Sequence, residues 1–228
     1  MMRSSSTTRR AAVRLAAFAV CAATLAPSPV SAQLEPGSVL VFSGTADVTD
    51  IGSPGVLLDF AKHITAQPTG NTGAFATLNG RGDGGATGNI TAMVAGNGPQ
   101  PIRRLLQIGG YTFDLAIVPS GVYGQDECYV EPALGQRCTP YQFPSFELSP
   151  FSLENVASGI ADRPFSAVVS FQLSGTVTGR GTTSDFVGTI TTTFAGVSFQ
   201  EALAGLEQYG LRDVPFTGTF VVGPVRPR

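Results

Sequence analysis

Beyond residue 32, apolar and β-branched residues recur in short runs divided by Gly, Pro, Asn and Asp, a pattern of antiparallel strands rather than of strand-helix-strand units. The runs predict strands over 38–49, 55–66, 87–94, 111–118, 151–158, 165–178, 182–195 and 216–222. In the longest, Phe165, Ala167, Val169, Phe171 and Leu173 alternate with Ser166, Ser170, Gln172 and Ser174, so one face is buried. Gly179-Arg180-Gly181 reads as a hairpin turn into the next strand. One helix is predicted over 198–210. Ser198 and Glu201 have the spacing of a capping box, Phe199, Ala202, Leu203 and Leu206 fall on one face, and Gly210 offers a stop. A second helix is predicted over 102–108, where Arg103 and Arg104 precede Leu105 and Leu106. The expected fold is all-β: an antiparallel β-sandwich, a jelly roll among its variants, with one short helix near the C-terminus capping an open end or edge of the sheets. The phrase Val-Leu-Val-Phe-Ser-Gly-Thr over 39–45 echoes the Ser-Gly-Thr within 169–177, without amounting to a repeat.

The N-terminus follows a different pattern. Arg3, Arg9, Arg10 and Arg14 stand among the first fourteen residues with no acidic partner, and an apolar run follows over 15–26. That run is shorter than the twenty or so residues a membrane-spanning helix needs. Pro27 and Pro29 end it, and Val30-Ser31-Ala32 supplies the small residues of a cleavage site, so residues 1–32 are expected to be a signal peptide cut between Ala32 and Gln33. Ala11 and Ala12 after Arg9-Arg10 favour the general secretory route over a twin-arginine signal. Cys21, preceded by Val20 rather than a small residue, reads as part of the apolar run and not as a lipidation site.

Residues 33–228 then form a single domain with ten basic and sixteen acidic side chains, a net charge of −6. That balance argues against nucleic acid or an anionic membrane as partner. No second hydrophobic stretch anchors the processed chain. Cys128 and Cys138 remain, ten positions apart, and in an oxidising compartment they are expected to pair. A zinc site built on the same two thiols would lack partners, since His63 is the sole histidine.

Candidate chemistry is sparse. His63 falls on the polar face of a predicted strand, and no G-x-S-x-G elbow exists, so no catalytic residue is assigned. Asn79 to Gly85 is glycine-rich but lacks the Lys-Ser or Lys-Thr of a phosphate loop. The densest constellation lies between Pro119 and Phe146. Tyr123, Tyr129, Tyr141, Phe143 and Phe146 crowd there with Asp126, Glu127, Glu131, Arg137 and the two cysteines. Tyr123, Asp126, Glu127, Tyr129, Glu131 and Tyr141 are therefore the candidate ligand-binding residues. Such a stapled loop could stack its tyrosines on a polysaccharide or a surface protein, although the chain has no Trp. Its carboxylates could supply calcium ligands, or simply face solvent.

The order of pieces resembles a known family. The early Ser-Gly-Thr strand, the phrase over 73–80, the run Leu106 to Leu115, the two-cysteine loop, Ser149-Pro150-Phe151-Ser152-Leu153 and the short helix at 198–210 look like exported bacterial β-rich proteins of the PEP-CTERM-associated, choice-of-anchor-like type. The likeness covers nearly all of residues 33–228. It implies export and a β-rich extracellular domain, and it transfers no catalytic residues. The chain departs from the family after Val222, where no Pro-Glu-Pro motif or hydrophobic tail follows, so the expected location is secreted or periplasmic. The function expected is non-catalytic, a binding or structural role outside the cytosol; the alternative is a polysaccharide hydrolase using loop carboxylates.

Overall fold

The computed structural model describes residues 34–225 except 51–55, 81–84, 97 and 143–146. The expected leader with its cleavage point, most of the glycine-rich loop, Phe143 and Phe146 lie outside the described residues. The strands are β1 Val39–Asp50, β2 Val56–Ala66, β3 Thr87–Ile90, β4 Met93–Ala95, β5 Gly98–Ile108, β6 Tyr111–Val118, β7 Arg137–Cys138, β8 Tyr141–Gln142, β9 Glu147–Leu148, β10 Phe151–Ile160, β11 Arg163–Gly179, β12 Thr182–Phe194 and β13 Leu211–Val225. A 3-10 turn covers Gly73–Leu78, and one α-helix, α1, covers Phe199–Tyr209 in the connection between β12 and β13.

The expected mostly β chain is observed, but its sandwich is not. Hydrogen bonding runs β12-β13-β1-β2-β3-β5-β6-β11 and returns from β11 to β12, closing an eight-stranded antiparallel barrel. Closure follows from strands with a partner on each edge. β12 pairs β11 from Gly179↔Thr182 to Ala167↔Phe194 and also pairs β13, while β1 joins β13 to β2. A sandwich would leave edges exposed at these positions; the barrel removes them. β11 is long enough to hold two strands in series on its other side, β6 along Ser174–Thr178 and β10 along its first half. β10 in turn carries β7, so the cysteine loop hangs from an extension of the wall at one end of the barrel.

Local chemistry explains the turns. Arg180 and Gly181 both have positive φ, at 49° and 81°, as a two-residue turn matched to the twist of its strands requires. The helix expected over 102–108 is strand β5 instead. Its register with β6 shifts between Pro99 and Ile102 and again between Ile102 and Leu106, and Arg104 has φ 56°. These irregularities place Leu105 and Leu106 both in the core, and consecutive buried residues imitate a helical pattern. The Arg104 amide donates to Asp114 Oδ1 at 2.6 Å, which stabilises the distortion. His63 is exposed on β2.

The interior of an eight-stranded barrel is just wide enough for side chains to fill. Here phenylalanines fill one end by standing opposite glycines. Phe42 pairs across the sheet with Gly218, Phe216 with Gly44, and Phe220 with Gly188. A Cβ on Gly218 would lie 2.2 Å from the Phe42 ring, and one on Gly188 would lie 2.4 Å from Phe220. Phe42, Phe220, Phe186, Phe113 and Phe75 continue as a chain of ring contacts with centroids 4.9–5.9 Å apart. The 3-10 turn seals this end. Its Phe75 is buried against Tyr111, whose hydroxyl donates to the Ala74 carbonyl at 2.6 Å, and the Ala74 amide donates to Ser38 Oγ.

Gly218→Ala should therefore destabilise the protein by about 1–3 kcal/mol, because Phe42 is fully enclosed and cannot step aside. Gly124→Ala, where an added methyl meets nothing within 4 Å, should change stability by less than about 0.5 kcal/mol. Urea denaturation of the two variants tests the contrast, and equal midpoints would refute the packing account.

Candidate functional site

The other end of the barrel is hollow. A cavity of about 570 Å³ opens there. Its walls come from the far halves of the strands that hold the phenylalanine plug: Ala46 and Val48 of β1, Leu58 and Phe60 of β2, Ile190 and Phe194 of β12, and Val214 and Phe216 of β13. Val169 and Phe171 of β11 join Phe151 and Leu153 of β10 on one side. The roof is α1, which presents Phe199, Ala202, Leu203, Leu206 and Glu207.

The helix is where the sequence placed it, and its capping box is formed. Ser198 Oγ accepts from the Glu201 amide, and the Ser198 amide donates to the Glu201 carboxylate at 2.7 Å. A buried asparagine adds a third anchor. Asn155 on β10 is fully enclosed; its Oδ1 accepts from the Phe199 amide at 2.8 Å, and its Nδ2 donates to Gln200 Oε1 at 3.0 Å. Gln200 Nε2 donates in turn to Gln136 Oε1 and to the Val130 carbonyl. The start of α1 is thus tied to β10 and to the cysteine loop together. Its apolar face is a different matter. Phe199 is buried and Ala202 and Leu203 pack on the small core around it, yet Ala202, Leu203 and Leu206 stay partly exposed where they border the cavity.

Cys128 and Cys138 form the expected disulfide, with Cα atoms 5.1 Å apart. Both sulfurs are buried in a second small core with Leu153, Ala167 and Phe199, so the staple supports the root of the helix. Of the six residues singled out from the sequence, Tyr129 and Tyr141 line the cavity and Tyr123 and Glu127 meet Arg137. Tyr129 is 74% exposed. Tyr123 lies under the Arg137 guanidinium, 5.5 Å from its ring centre. Asp126, Glu127 and Glu131 are exposed; a Glu127 carboxylate oxygen accepts from the Arg137 amide at 2.7 Å. Arg137 also pairs with Glu154 at 3.0 Å. That hydrogen bond, then the Glu154 charge and the Tyr123 ring, raises the guanidinium pKa above its ordinary value. Among the described residues no three His, Cys, Asp or Glu side chains form a group suited to a metal ion.

The cavity residues that pattern reading missed are the inward positions of β1, β2, β12 and β13. Alternation can assign such residues to a buried face, but nothing in alternation separates a side chain packed on a neighbour from one facing a void. No family model, no curated protein and no solved structure matches the chain. The site is therefore read from its geometry alone.

Asn155→Ala should cost about 1–3 kcal/mol, because it leaves the Phe199 amide and Gln200 Oε1 without the partner that Asn155 supplies. It should also raise hydrogen exchange at the first turn of α1 before the rest of the barrel. Unchanged protection of that turn would show that the asparagine does not hold the helix. Without reductant, neither cysteine should react with an alkylating agent; replacing both by Ser should cost about 2–3 kcal/mol in thermal or urea melts.

Proposed function

We propose that this protein is an exported, non-catalytic binding protein that holds a small apolar molecule in the open half of its barrel. The observation that carries the reading is the unfilled cavity beneath an amphipathic helix. Protein interiors are close-packed, and voids larger than a water molecule are few. About 570 Å³ lined by phenylalanine, leucine, isoleucine and valine falls within the range of small-molecule sites, which are mainly apolar and largely preformed. Mouths of β-barrels are among the places where such sites occur.

The wall chemistry favours binding over catalysis. The loop carboxylates Asp126, Glu127 and Glu131 are not on the cavity wall, and Glu207 is the carboxylate that is. Two polar side chains, Ser149 and Thr192, and the phenols of Tyr129 and Tyr141 interrupt an otherwise hydrocarbon lining. Export rests on the leader pattern of residues 1–32, and it would suit a carrier that meets its ligand outside the cytosol.

The neutral fluorophore N-phenyl-1-naphthylamine should bind saturably with enhanced emission. Straight-chain alcohols should displace it, with affinity rising up to about fourfold per added methylene until the cavity is full, since each buried methylene is worth about 0.8 kcal/mol. Leu206→Arg, at a half-exposed position of the roof, should weaken the probe at least about tenfold while leaving the melting temperature within a few degrees. An absence of saturable probe binding would overturn the proposal.

A further inference from the structure

Given that reading of the cavity, the distribution of charge around it decides what head group its occupant can carry. Among the described residues the wall holds no basic side chain, and its one acidic side chain is Glu207. Glu207 is exposed and stands two residues before the end of α1. That position has an electrostatic cost. The carbonyl end of a helix carries partial negative charge and favours cations, and acidic residues are better placed at the opposite end. α1 has no basic residue in its last turn to offset this. Arg212, the next basic residue along the chain, is exposed and off the cavity wall. The carboxylate and the helix terminus therefore reinforce one another at the mouth. The net charge of −6 on residues 33–228 adds a long-range field of the same sign.

The deep wall excludes the other arrangement. Phe60, Phe171, Ile190 and Phe216 offer no hydrogen-bond partner, and the wall hydroxyls of Ser149 and Thr192 are engaged with the Phe151 amide and the Pro215 carbonyl, so an ionised head pushed inward would lose its water with little in exchange. A head group must sit at the mouth, where the field is negative. We propose that the cavity selects amphiphiles by head group. It takes one apolar chain or ring system ending in an amine, accepts a neutral alcohol, and disfavours a carboxylate, with Glu207 as the residue that sets the order.

The test is displacement of N-phenyl-1-naphthylamine by decylammonium, decanol and decanoate, all below their micelle concentrations, at neutral pH and low salt. Decylammonium should bind at least about threefold more tightly than decanoate, with decanol between them, as expected for a charge at a solvent-exposed rim. Raising sodium chloride to about 0.5 M should shrink the spread by screening. Glu207→Gln should weaken decylammonium, strengthen decanoate and leave decanol unchanged. Equal displacement by all three, or a spread that Glu207→Gln does not alter, overturns the head-group proposal and leaves the apolar-binding reading intact. Failure of the probe and of all three amphiphiles to bind brings down both. Far-ultraviolet circular dichroism of Glu207→Gln should match the parent, so that a change in order reports charge and not unfolding.

Discussion

The structure depends on the pairing of phenylalanine with glycine across neighbouring strands. A closed sheet of eight strands has a narrow interior, and a benzyl group occupies more of it than one inward position can supply. Opposite three of the large rings, the partner strand gives up its side chain: Gly218 for Phe42, Gly188 for Phe220 and Gly44 for Phe216. The rings then meet edge to face or stacked in a continuous plug. Closure and filling go together, because the pairing of β13 with β1 and β12 sets each of these rings against its glycine.

The same arrangement accounts for the cavity. The Phe-Gly pairs end at Gly44 and Phe216; beyond them the strands carry Ala46, Val48, Val214 and Ile190, and the rings there, Phe60, Phe171 and Phe194 among them, line the cavity. At this end β11 exchanges β6 for β10 on one edge, which widens the wall. The disulfide loop and α1 cover the opening without filling it. Asn155 has a central place, since one buried amide satisfies the first turn of the helix and joins it to the loop. Support is concentrated at the start of α1; at its other end, Tyr209 is 79% exposed and Glu207 faces the mouth. The helix is thus tied through Asn155 at its start, and after its last turn the chain passes directly into β13, where Leu211 pairs with Val48.

Several elements were legible in the residues alone. Period-two alternation located β1, β2, β6 and β10 to β12 within a few positions, because half-buried strands impose it locally. The capping box at Ser198 and Glu201 announced α1, and Arg180-Gly181 announced its hairpin, because each is satisfied by atoms a few residues apart. The disulfide followed from two cysteines in a short loop. Where irregular register interrupted the alternation, as in β5, the local pattern pointed to the wrong element. The echo around Ser-Gly-Thr was visible too, but its meaning lay elsewhere: Gly44 makes room for the Phe216 ring, and Gly175 for the Asp114 carbonyl of β6 with the Phe186 ring beside it.

What the sequence determined by itself is therefore most of the long strands, the capped helix, the staple and the turn chemistry, all governed by contacts between near neighbours. Tertiary structure alone decided that β13 returns to β1 and that β12 bridges β11 and β13, which turned an expected sandwich into a barrel. It alone decided where the interior is solid and where it is hollow. The reason is physical: an inward apolar residue obeys the same alternation whether it meets a phenylalanine or an empty volume, and only the assembled walls distinguish the two.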